Sequence, residues 1–334
     1  MRVGIVGAGL QCRRRIEALT PHDRLVGVTA PDLAGAEAQA RPHGARAFAR
    51  WEDLLAEPGL DAVIVASPPD SHLAAAVAAL AAGAHVLCEK PLARDSAEAA
   101  VMEDAARNHG RVLYCGFNHR HHPAVAALAA LAADRRHGAP LSALGVYGHG
   151  IRANYADEWR ADPVVVSGGQ LTEQGIHLVD LVDALLWPVQ DVIAHTQHSF
   201  GLPPGIEDDA HLMLRSATGQ VALLRSSLSQ WHNRFLLEVT FERATARIEG
   251  LAGSYGEQTL TVEERADGPF AAQVTRFRGP DRSWAREWAH FRALTEQRPL
   301  PPPDPAGRRA LAVVEAAYRS TASGRWTPVS KESS

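Results

Sequence analysis

Five short apolar runs recur within the first 118 residues: RVGIVG (2–7), RLVGVT (24–29), DAVIVAS (61–67), AHVLCE (84–89) and RVLYCGF (111–117). Helix-patterned segments near 10–19, 33–41, 70–82 and 95–109 separate them. Runs this short, without polar alternation, read as strands buried on both faces. Asp70-Ser71 and Asp95-Ser96 supply helix starts. A strand buried on both faces needs helices above and below it, so the alternation predicts an α/β fold with a doubly wound parallel sheet. After about residue 120 the pattern changes. A helix over 122–133 leads to LSALGVYGHG (141–150), an irregular stretch (154–163) and a helix over 171–186. Residues 190–277 then read as a meander of strands, hence a large, mainly antiparallel sheet. Helices over 283–296 and 305–322 flank RPLPPPDP, whose prolines stop one before the other begins. Two domains are expected, 1–118 and 119–334.

Gly7-Ala8-Gly9 follows the first strand and opens a helix, the setting of the dinucleotide fingerprint. The first glycine permits the tight turn, and the second lets backbone approach a pyrophosphate. The helix start then turns its amides toward the anionic oxygens. Cys12 stands where a third glycine is usual and is small enough for close helix–strand packing. The acidic ribose ligand, expected about 20 residues on, is missing from Thr29-Ala30-Pro31-Asp32, where Ala30 occupies its place. NAD is the expected cofactor, and NADP stays open. ASPPDSH (66–72) and CEKPLA (88–93) each follow a strand, at the sheet edge where ligands of such folds bind. A plain strand–helix connection and a salt-bridged lysine are the bland readings of these two turns.

Of 34 basic residues only Lys90 and Lys331 are lysines. Lysine differs from arginine as a compact ammonium whose pKa yields to its surroundings, which proton chemistry can use. In TEQGIH (172–177), Glu173 and His177 stand four apart, one face of a helix. That spacing alone leaves a catalytic pair, two metal ligands and an ordinary polar face equally open. GFNHRHHPA (116–124) crowds His119, His121 and His122, but the spacing suits neither helical i,i+4 ligation nor a zinc knuckle. No metal is expected, and the segment reads as a polar loop and helix start.

A formal charge of −4 gives no electrostatic footprint for nucleic acid or an anionic membrane. No apolar run is long enough to span a bilayer. Two glycines break the N-terminal apolar run and no small-x-small site follows, so a buried strand is expected there rather than a signal peptide. Three cysteines without C-x-x-C spacing fit a reducing, cytoplasmic setting.

Taken in order, GAG, EKP, GFNHRHHP, EWR and SGGQLTEQGIHLVDL resemble the Gfo/Idh/MocA oxidoreductases, over nearly the full length of the chain. The resemblance implies a Rossmann domain followed by an α/β substrate domain. The open sheet of that second domain commonly carries self-association, as a homodimer or homotetramer. It also implies NAD(P)-dependent oxidation or reduction of secondary hydroxyl and keto groups on sugars. The family's E-K-P lysine falls on Lys90 and its motif histidine on His177. Glu173 takes the place of the usual aspartate, one methylene longer. Cofactor contacts are expected from Gly7, Gly9, Leu10, Cys12, Thr29, Ala30, Ser67, Pro68, His72, Glu89, Lys90, Trp159 and Arg160. Substrate contacts are expected from Lys90, Asn118, Arg120, Tyr147, Glu173 and His177.

In that scheme His177 takes the hydroxyl proton, Glu173 orients the imidazole and Lys90 hydrogen-bonds the developing alkoxide. The expected substrate is a small sugar molecule: a pyranose, oxidised at C3, in a nucleotide sugar or a natural product such as an aminoglycoside. Glu158 and the Glu207-Asp208-Asp209 run suit a polycationic aminoglycoside, solvated charges, or a turn before a strand. The competing functions are a nucleotide-binding regulator without turnover and an NAD-dependent glycoside hydrolase.

Overall fold

The computed structural model describes residues 1–268 and 271–329, which leaves Lys331 outside. The chain divides into two compact units, 1–118 with 284–308 and 119–283 with 309–334. In the first unit the elements run β1 (Arg2–Val6), α1 (Leu10–Ala18), β2 (Arg24–Thr29), α2 (Leu33–Ala40), β3 (Arg46–Phe48) and α3 (Trp51–Leu55). They continue through β4 (Ala62–Val65), α4 (His72–Ala81), β5 (His85–Glu89), α5 (Ser96–His109) and β6 (Leu113–Gly116). Among the described residues the six strands order as β3-β2-β1-β4-β5-β6, all parallel. This is the doubly wound sheet with its switch point between β1 and β4. Val3, Ile5, Val28, Ile64 and Leu87 are fully buried within it, as runs without polar alternation require.

The same core takes up Trp288 and Phe291. The sequence pattern places everything after residue 118 in a second domain; residues 284–308 instead cluster with the first unit. The reason is physical. Trp288 and Phe291 bury their rings against Rossmann residues, and the Trp288 indole N–H donates to Asp23 at 2.8 Å.

The second unit carries α6 (Pro123–Asp134), β7 (Pro140–Gly150), α7 (Ile176–Leu185), β8 (Val189–Gln197), β9 (Asp209–Ser216) and β10 (Val221–Ser227). These precede β11 (Ser229–Phe241), β12 (Ala244–Glu249), β13 (Gln258–Glu264) and β14 (Ala272–Phe277). Helix α8 (Ser283–Glu296) belongs to the first unit save for its first residue, and α9 (Ala306–Ser323) and the short β15 (Thr327–Pro328) complete the chain order. The nine described strands order as β14-β13-β12-β11-β7-β10-β9-β8-β15. All pairings are antiparallel except β10 with β7. The expected meander is thus two meanders separated by β7, which inserts between β10 and β11. The glycines of YGHG permit this: a Cβ on Gly148 would collide with the Ser227 carbonyl where the chain turns from β10 into β11. Ile193, Met213, Leu223 and Leu144 line up across four strands on one face. Leu223 and Leu144 are 45% and 40% exposed there. No described helix is long and apolar enough to cross a membrane.

Candidate active site

In the first unit, the carboxyl edge of the sheet gathers three turns. After β1, Gly7 adopts φ +108°, and a Cβ there would lie 2.5 Å from the Ala66 carbonyl oxygen. Both the conformation and the contact demand glycine. Its N–H donates to the Thr29 carbonyl at 2.8 Å, fixing the turn to the end of β2, and Ala30 N–H donates to Phe48 O at 3.2 Å. Gly9 caps α1 with extended backbone, and a Cβ on it would meet nothing within 4 Å. Leu10, the first helical residue, is half exposed. Open space above Gly9 beside a helix start fits a pyrophosphate. Cys12 is fully buried. Burial pushes its thiol up to about 12, so it packs as an uncharged group where a third glycine is usual.

Gly9→Val is therefore expected to leave the melting temperature within about 2 °C, since the new side chain enters open space. NADH affinity should fall by about tenfold or more, read by fluorescence titration, because the branched side chain fills the approach to the helix amides. Wild-type affinity in this variant would place the cofactor elsewhere.

The second turn, Ser67-Pro68, is tied to the third through His72, whose ring nitrogens lie 2.9 Å from Ser67 O and 2.9 Å from Pro91 O. The ring is buried, and burial lowers its pKa. Ser71 adds a hydroxyl bond to Ser67 Oγ at 2.7 Å. In the third turn Lys90 follows β5 and is half-buried, and the Lys90–Pro91 peptide is cis. Its neighbour Glu89 accepts from Arg15 Nε at 2.7 Å, and Arg15 Nη1 reaches Glu287 of α8 at 2.5 Å. Arg15 and Glu287 are 1% and 0% exposed. Burial opposes the Arg15 cation, but the two carboxylates outweigh it and raise its pKa. The turn that presents Lys90 is thus anchored from α1 and α8 together. Asn118 is buried at the end of this unit.

In the second unit the TEQGIH segment departs from a regular helix. Leu171–Gly175 forms a π turn, with the Ile176 N–H reaching Leu171 O, and α-helical geometry begins at Ile176. The widened turn replaces the 3.6 period between Glu173 and His177, a feature frequent at functional sites. Gly175 allows it, because a Cβ there would lie 2.8 Å from Leu171 Cδ1 and 3.0 Å from Ser226 Cβ. Glu173 accepts from Arg160 Nε at 2.7 Å and from the Tyr155 hydroxyl at 2.9 Å. Arg160 in turn lies over the Trp159 ring, 4.3 Å from its centroid, and reaches Glu158 at 3.2 Å. Burial opposes the Arg160 cation, yet Glu173 and Glu158 offset it and raise its pKa. Burial, then the Glu173 charge, pushes the Tyr155 phenol well up, so it remains a donor. Glu173, Trp159 and Arg160 therefore form one cluster with Tyr155, a residue sequence reasoning did not single out.

His177 is 4% exposed in the first turn of α7, with the Tyr147 ring edge-on at 6.1 Å. Arg120 is drawn to a different partner. It grips Asp180 of α7 with two bonds, at 2.8 and 2.5 Å, and so orients that helix. Sequence reasoning also missed His119, whose ring stacks on His177 at 3.8 Å. The histidine cluster was visible, but the stacking partner and the Tyr147 and Phe235 rings that box it in come from α7, β7 and β11.

The acidic run leads into β9, as a turn before a strand would, but it is buried as an internal brace rather than solvated or a face for a polycation. Glu207 accepts the N–H groups of Gly169 at 2.8 Å and Leu171 at 2.7 Å, with the Tyr318 hydroxyl at 2.9 Å. Burial raises its pKa against the pull of those donors. Asp208 accepts from Ser199 and Phe200 N–H, and Asp209 from Arg225 and Ser227. The strand entry is thereby locked onto the loop that leads into the π turn. The described residues include no group of three or more His, Cys, Asp or Glu side chains placed to hold a metal ion.

Residues 1–117 match the family described as "Oxidoreductase family, NAD-binding Rossmann fold", and residues 125–251 match the GFO/IDH/MocA C-terminal domain. The chain belongs to the Gfo/Idh/MocA oxidoreductase family. Inositol 2-dehydrogenase 2 of Paenarthrobacter aurescens is 31% identical over 259 residues, spanning 75% of this chain and 75% of that protein. Glucose-6-phosphate 3-dehydrogenase of Bacillus subtilis is 34% identical over 190 residues, spanning 54% of this chain and 52% of that protein. Among solved structures, levoglucosan dehydrogenase in complex with NADH and levoglucosan superposes with a TM-score of 0.88. That match is 22% identical over 99% of each chain. The Gfo/Idh/MocA Rossmann domain is the NAD-binding one, and the Gly7–Cys12 turn fits the cofactor as described.

Proposed function

We propose that this chain oxidises a secondary hydroxyl on a pyranose ring to the ketone, at C3, in a nucleotide sugar or a sugar-containing natural product. Lys90 carries the reading: it is the only lysine among the described residues, in the family's E-K-P turn, braced through Glu89 by a buried ion triad. The named relatives, which act on inositol and on glucose 6-phosphate, support a ring carbinol as substrate. The second of them supports position 3.

Bound NAD supplies the hydride acceptor. His177 takes the hydroxyl proton as the carbinol C–H bond breaks with its electron pair, and the C=O bond forms. Lys90 donates a hydrogen bond to the carbinol oxygen, which strengthens as negative charge grows there. In the reverse direction His177 returns the proton to the keto oxygen. Glu173, held by Arg160 and Tyr155, sets the position of the π turn that leads into His177.

The test is a panel of pyranosides, nucleotide sugars and aminoglycosides assayed with NAD and with NADP. Stoichiometric NADH formation, with a 3-keto product identified by NMR, is the expected result. Glycosidic cleavage without net NADH, or no turnover of any ring alcohol, would overturn the proposal.

A further inference from the structure

His119 and His177 turn their imidazole faces to each other, with centroids 3.8 Å apart and planes 13° apart. The stack is boxed in on several sides. Tyr147 of β7 stands edge-on to His119 at 4.9 Å, and Phe235 of β11 stands edge-on to it at 5.7 Å and 90°. His122 lies 5.6 Å away, ring to ring. Both stacked rings are 4% exposed. Two imidazolium ions at this separation, with little water between them, repel strongly. A neutral imidazole under an imidazolium instead offers it a π face.

Charged and titratable groups of the same unit surround the stack. On α7, Asp180 is held by Arg120, and on the π turn Glu173 is held by Arg160 and Tyr155. His122, on the turn that carries His119, lies 3.8 Å from Asp281 and 3.1 Å from Gln258. Arg120 and His121 share that turn, and Tyr147 packs on Tyr255 at 5.3 Å.

We propose that His119 is a positioning residue for His177: the stacked pair accepts one proton and resists a second. A neutral His119 then receives the imidazolium that forms on His177 when the substrate proton arrives. The stack fixes the plane of the His177 ring and admits charge on it only while His119 is uncharged. This rests on His177 being the base of the proposed oxidation, but the pairing can be measured without turnover.

Both histidines are titrated by NMR in the wild-type protein, in His119→Phe and in His177→Phe. For two coupled sites the two macroscopic pKa values sum to less than the values of the isolated sites, by the coupling alone. The wild-type sum is expected to fall below the sum from the two variants by about one unit or more. Equal sums would overturn the proposal while leaving the role of His177 standing. In turnover, His119→Ala should lower kcat by about tenfold, and His119→Phe, which restores a flat face of similar size, should recover most of that loss. A His119→Ala variant with wild-type kcat, or a Phe variant as impaired as Ala, would also overturn it.

Discussion

His177→Ala is expected to lower kcat for sugar oxidation by about 10²–10⁴-fold, the range for loss of a positioned general base. NADH affinity should stay unchanged, because His177 is not among the residues expected to contact the cofactor. Lys90→Ala should cost about 10²–10³-fold, as for one donor to a developing oxyanion. The informative variant is Lys90→Arg. Every other internal cation of this chain is already arginine, so a mere requirement for positive charge would be met by the substitution. A guanidinium is wider than an ammonium, planar and fixed in its donor directions. Lys90→Arg is therefore expected to fall within about tenfold of Lys90→Ala rather than near wild type. Steady-state kinetics with fluorescence titration of NADH separates chemistry from binding. Near wild-type turnover in both alanine variants would remove the assignment of both residues.

The Rossmann half was legible because its strands are buried on both faces, so runs such as AVIV lack polar alternation, and helix-patterned segments separate them. β3 escaped notice because three residues, Arg46 to Phe48, are too few to show a period. The insertion of β7 between β10 and β11 was hidden for a different reason: pairing partners are set by contacts across 70 or more positions, not by local pattern. The same holds for His119. A histidine-rich loop was plain to see, while the ring it stacks on lies 58 residues further along. The π turn is a subtler case. Glu173 and His177 carry helical spacing, and only the contact of Gly175 with Leu171 and Ser226 shows why the backbone widens between them.

Arg15→Ala is expected to destabilise the first unit by about 3–5 kcal/mol, the cost of leaving buried charges without their partner. Arg15 sits between two carboxylates, Glu89 at 2.7 Å and Glu287 at 2.5 Å, and Glu287 is fully buried. Both acids are buried, so loss of the guanidinium leaves their charges in a low-dielectric setting. The loss is electrostatic rather than one of volume, which makes it separable. Adding Glu287→Gln and Glu89→Gln to the Arg15→Met change removes all three charges, and such replacements are often near neutral for stability. The triple variant is therefore expected to recover most of the stability that Arg15→Ala loses, as measured by urea unfolding. It should not recover turnover, because Glu89 adjoins Lys90 and the ion triad holds that turn in place. A loss below about 1 kcal/mol in Arg15→Ala would make the triad a surface-like pair of little worth, and the anchoring of the Lys90 turn would fall to other contacts, such as that of His72 with the Pro91 carbonyl.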